Sequence, residues 1–61
     1  MTNADRFNTR YIFAGMTADA IRAARAAHIF YARNAPGRSI AARYAEHARI
    51  CTWELVRRAA A

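Results

Sequence analysis

A chain of 61 residues supplies one small domain, residues 1–61, and no large enzyme fold, because so short a polypeptide buries only about 60% of its unfolded surface. Hydrophobic residues make up 56% of it, but 17 of them are alanine and there is a single Leu and a single Val, so the real core stock is thin. The formal net charge is +6, carried by ten basic residues that are all arginine. Such a balance fits an anionic partner, although the complete absence of Lys and Gln also matches the coding bias of a GC-rich genome, which discounts the charge as a signal.

Gly15, Pro36 and Gly37 punctuate the chain and divide it into three segments, each able to form a helix. In the first, residues 4–14, Asn3 stands at the cap position, Asp5 lies in the first turn, and Gly15 supplies the left-handed residue that ends the run. The second, 17–34, opens with Thr17 as its cap and Asp19 in its first turn. Ala35, Pro36 and Gly37 stop it. The third spans 39–59 with Ser39 as its expected cap. The expected fold class is therefore all-α: a short N-terminal helix followed by an antiparallel helical hairpin, assembled as a homodimeric helical bundle.

Helical spacing places Ala20, Ala23, Ala24, Ala27 and Tyr31 on one side of the second segment, a flat face expected to pack closely on another helix. On the third, Ile40, Tyr44, Ala48, Cys51 and Leu55 follow one another at four, four, three and four residues, which is a packing seam. Glu46 with Arg43 and Arg49, and Glu54 with Arg57 and Arg58, are spaced to pair on the surface at a few tenths of a kcal/mol each.

A second apolar set does not fit a lone hairpin. Ile29, Ile50 and Trp53 fall among arginines, with Arg49 and Arg57 one turn either side of the indole. Exposed, they form an apolar patch of the kind that marks an interface, and Trp with Arg is a frequent hot-spot pairing. Covered, they need Phe7 or Phe13 of the first segment. The sequence allows both. Ile29, Arg49, Ile50, Trp53 and Arg57 are accordingly the expected partner-binding residues.

The run Ala14-Gly15-Met16-Thr17-Ala18-Asp19-Ala20-Ile21 resembles a helix-turn-helix corner, with Gly in the turn, a capping Thr and Ile six positions after the Gly. It departs from that pattern at Tyr11, where the close helix crossing wants a small residue. On this alternative, Thr17, Arg22, Arg25 and Arg33 contact nucleic acid.

His47 and Cys51 share a helix face, and His28 stands as a third candidate for a metal site or a Cys-His nucleophile pair. No CxxC or HExxH spacing supports either, and Cys51 continues the packing seam. Each of Asp5, Asp19, Glu46 and Glu54 is accounted for by a cap position or an arginine. The expectation is no catalytic residue, no metal and no cofactor.

Cysteine usage gives no intrachain disulfide and points to a reducing, cytoplasmic setting, with a disulfide-linked dimer as a minor option. The uncharged run 11–18 is too short to span a membrane. Arg6 and Arg10 ahead of Tyr11-Ile12-Phe13-Ala14 mimic a signal peptide faintly, but cleavage near Ala20 would leave too little chain to fold. An arginine-faced helix is also able to lie on anionic lipid, which is a third, minor alternative. The leading expectation is a small basic non-enzymatic regulator, self-associating, that binds and modulates a larger protein, as phage- or plasmid-encoded modulators of host proteins do. A helix-turn-helix regulator or nonspecific nucleic-acid binder is the alternative.

Overall fold

Thr17 is where the first helix is decided: its backbone is extended (φ −74°, ψ 160°), and its Oγ1 accepts the N–H of Ala20 at 3.1 Å, satisfying a donor the helix itself cannot. The computed structural model describes residues 12–60. Helix α1, Ala18–Arg33, carries Asp19 in its first turn and Arg33 in its last, both favourable to the helix dipole. It ends at Asn34, whose backbone N–H and side-chain Nδ2 both donate to the Phe30 carbonyl. Helix α2 is Arg38–Ala60. Its first turn is closed by the Ala41 N–H on the Gly37 carbonyl at 3.0 Å, so Gly37 rather than Ser39 occupies the cap position. Among the described residues there is no strand, and the chain is all helical. The first expected helix, 4–14, lies almost wholly outside the described residues.

The two helices pack side by side. Arg25 meets Thr52, His28 meets Tyr44 and His47, and Tyr31 meets Tyr44, so contacts step back along α2 as they step forward along α1. Phe13, Ile21 and Cys51 form the buried core, with Met16, Ala24, Ile50 and Leu55 packed around it. The turn ahead of α1 brings Phe13 inward. Met16 donates to the Phe13 carbonyl, and Gly15 takes φ +82°, the left-handed conformation expected of it.

Three packing expectations are corrected. The inward face of α1 runs through Ile21, Ala24 and His28; of the expected face, Ala20, Ala23 and Ala27 are exposed, Ala24 packs on the core, and Tyr31, half-exposed, meets Tyr44 of α2. Ile21 carries about twice the apolar surface of any one alanine, so turning it inward gains more per residue buried. Ile50 belongs to the core margin, not to an outward patch. Glu54 does pair with Arg57 and Arg58, but it does so with no exposed surface at all. The seam of α2 otherwise holds: Ala48 and Cys51 are buried and Leu55 packs on the core, while Ile40 at the helix start stays 44% exposed. No helix among the described residues is long and apolar enough to cross a membrane.

Candidate functional site

With one small core, this domain leaves large apolar side chains on its surface; Ile12 and Val56 are exposed toward the chain-end side of the helix pair, and Phe30, Tyr31 and Ile40 gather where the helices are joined. Phe30 is 62% exposed and Tyr31 50%. Their rings meet edge-on at 5.8 Å between centroids, and Tyr31 reaches Tyr44 of α2 at 5.4 Å. Ile40 lies one turn before Tyr44. Leading up to this aromatic end, the outer side of α1 presents Ala20, Ala23 and Ala27, all exposed and spaced three and four residues apart, with Phe30 three further on. These spacings keep them on one strip of the helix, and the strip contains no charged residue.

The opposite side of α1 is basic. Between its first half and the last turns of α2 runs a groove of about 500 Å³ lined by Ala18, Arg22, Arg25, Thr52, Leu55, Val56, Arg58 and Ala59. Arg25 is positioned from across the helix pair: its Nε donates to Thr52 Oγ1 at 2.6 Å, and that hydroxyl in turn donates to the Ala48 carbonyl at 3.1 Å. Thr52 therefore both receives and passes on a hydrogen bond, which fixes its rotamer. Arg22 is held by Asp19 at 2.6 Å. Among the described residues no carboxylate pairs with Arg25.

One end of the groove is anchored by a buried charge cluster. Arg57 grips Glu54 through two nitrogens, at 2.9 and 2.6 Å, and Arg58 adds a third bond at 2.9 Å. The bidentate Arg57 contact, seconded by Arg58, holds the Glu54 carboxyl down at about 2 against the opposing effect of burial. The same contact raises Arg57. Arg58 then uses its remaining nitrogens on the Met16 and Phe13 carbonyls, at 2.7 and 3.1 Å.

A second cavity, about 490 Å³, lies on the other side of the helix pair among Ile12, Phe13, Met16, Ala24, His28, His47, Ile50 and Cys51. The two imidazoles meet edge-on with centroids 5.2 Å apart, and the buried His28 Nδ1 has no hydrogen-bond partner. The structure thus brings His28, His47 and Cys51 to one cavity. Burial raises the Cys51 thiol, only partly offset by the nearby Arg25 charge, which is the opposite of what a nucleophile needs. Among the described residues, no group of three or more His, Cys, Asp or Glu side chains is placed to hold a metal ion.

The expected partner-binding residues lie on both helices, Ile29 on α1 and Arg49, Ile50, Trp53 and Arg57 on α2. Arg49 is exposed and paired with Glu46 at 3.0 Å, and Arg57 is committed to Glu54. Ile29 and Trp53 are half-buried, Trp53 with an interaction partner of its own, and Ile50 packs on the core. Of their proposed covers, Phe13 is in the core, whereas Phe7 lies outside the described residues. Of the nucleic-acid candidates, Thr17 caps α1, Arg22 and Arg25 line the groove, and Arg33 is exposed in the last turn of α1. Sequence reasoning missed the groove walls Leu55, Val56 and Arg58 as a unit. The signal was present: 52, 55, 56 and 59 stand at the i, i+3, i+4 and i+7 positions of one helix face, as 18, 22 and 25 do on α1. Comparison with known protein families, curated proteins and solved structures finds no match to the chain.

Proposed function

We propose that this chain is a non-enzymatic regulatory module: an antiparallel helical hairpin that pairs with a second copy and binds and modulates a larger protein. The observation that carries the reading is the charge-free strip Ala20, Ala23, Ala27 and Phe30, exposed along α1 and ending in the Phe30, Tyr31 and Tyr44 cluster. Two chains of charge +6 repel, so they can approach closely only where charge is absent. Small residues let helix backbones come near, and aromatic side chains at the end of such a strip supply contact area with little rotamer entropy to lose. Pairing there leaves the arginine side outward for a partner of opposite charge.

Support for the nucleic-acid alternative is weaker. The Thr17 hydroxyl is engaged in its cap, Asp19 holds Arg22, and the arginine groove has a floor of Leu55 and Val56 that a phosphate backbone has no use for. Sedimentation at micromolar concentration tests the self-association, with about twice the chain mass expected and a return to monomer on Ala23→Glu with helicity unchanged. A monomer at every concentration rejects the dimer. For the partner class, affinity capture is run with and without nuclease: a protein retained after nuclease agrees with this reading, and loss of all binding with nuclease transfers the function to nucleic acid.

A further inference from the structure

The groove between α1 and the end of α2 has the shape of a seat for one more helix. Its two walls carry residues 18, 22 and 25 on one side and 52, 55, 56 and 59 on the other, so each presents one helix face over about 10 Å at 1.5 Å per residue. Leu55, Val56, Ala18 and Ala59 make the floor apolar, and Val56 is 53% exposed. The rim is basic. Arg22 and Arg25 are both exposed, and Arg25, steadied by Thr52 through Nε, has no carboxylate partner among the described residues. The acids near the groove are already matched: Asp19 by Arg22, and Glu54 by Arg57 and Arg58.

Resting on the reading of the chain as a protein-binding module, we infer that this groove receives an acidic amphipathic helix of the partner protein. Aliphatic residues at i, i+3 or i+4 and i+7 of that helix lie on Leu55 and Val56, and a flanking carboxylate takes the charged fork of Arg25. Segment 1–11 holds two arginines to one aspartate, so it brings no net negative charge to match Arg25. Charge decides equally against a second copy, whose helices are basic too.

The test titrates the full chain with a labelled synthetic helical peptide of about 14 residues, with Leu on one face and Glu on its flanks. Two controls accompany it: a peptide of the same composition with the Leu residues scattered, and one with Lys in place of Glu. Saturable binding of the amphipathic acidic peptide is expected, about tenfold or more tighter than either control. Arg25→Met should weaken it about tenfold, and Val56→Asp should abolish it. Both sites are exposed, and an unchanged far-UV spectrum checks that each variant folds. Equal binding of the scattered peptide means simple charge attraction and overturns the inference, as does equal binding of the basic peptide. Conversion of a dimer to a monomer by Val56→Asp assigns the groove to a second copy and overturns it too. Peptide failure alongside a nuclease-resistant protein captured equally by Arg25→Met rejects the groove while leaving the protein-binding reading intact.

Discussion

Glu54 is wholly buried, and Arg58, one turn later, bridges it to the Phe13 and Met16 carbonyls 45 and 42 residues earlier in the chain. The carboxylate therefore does more than neutralise two arginines. It orients the Arg58 side chain, whose hydrogen bonds tie the turn ahead of α1 to the end of α2 and so help hold Phe13 over Ile21 and Cys51.

Replacing Glu54 by Gln keeps the shape but removes the charge, leaving two guanidinium groups beside a neutral amide. The expected loss is on the order of 3 kcal/mol, typical of breaking a buried ion pair from one side. A domain of this size holds roughly 3 to 9 kcal/mol in all. The thermal midpoint of Glu54→Gln should drop by at least about 10 °C, and an unchanged midpoint would show that the cluster contributes nothing net.

The same group sets the acid response. Its folded carboxyl sits at about 2, below the ordinary value of 4.5, so its stabilisation is complete above about pH 4.5. That contribution is lost as pH falls toward 2, because the unfolded chain takes up the proton first. Urea melts between pH 6 and 2 should show stability falling through this window. In Glu54→Gln most of the slope should disappear.

Gly15 has open space where a Cβ would go, so its substitution isolates backbone strain from steric clash. Gly15→Ala should cost about 1 kcal/mol through its positive φ alone, and Gly15→Asn less, because Asn tolerates the left-handed region. Equal stability of all three chains in denaturant melts would mean that the turn relaxes to another conformation.

Ile21→Ala should cost about 2 to 4 kcal/mol, since Ile21 is the largest apolar side chain with no exposed surface. Ala27→Ser, on the outward side of the same helix, should stay within about 0.5 kcal/mol. If calorimetry reversed that order, the rotation of α1 described above would be wrong.

Cys51 should resist modification in the folded chain, being buried with its thiol raised, and react freely once denatured. Rapid labelling of the native protein by a disulfide reagent would contradict the core assignment.

How far these residues could be read in advance depended on whether their signal was local. Thr17, Asp19 and Gly15 announce helix boundaries through their own backbone chemistry, and the structure puts boundaries there. The α2 seam was equally plain, because spacing alone brings Ala48, Cys51 and Leu55 together. The face of α1 was not legible because four of its five residues are alanine, which marks a surface that can pack without saying that it does, while Ile21 beside that face is the larger apolar side chain and is the one fully buried. The burial of Glu54 had no sequence signal, since it depends on the carbonyls of Phe13 and Met16 arriving from the far end of the chain. The groove was invisible for a similar reason, each wall being an ordinary half-exposed helix face until the other stands beside it.

The bonds of Arg58 to Phe13 and Met16 also bear on the order in which contacts form. Each helix, and the short turn between them, assembles from residues near in sequence, whereas this clasp closes a loop of more than forty residues and carries the entropy cost of that closure. It should therefore form after the rate-limiting step. Removing it with Arg58→Met would leave the refolding rate nearly unchanged and speed unfolding, so the clasp governs how long the folded state lasts rather than how quickly it is reached.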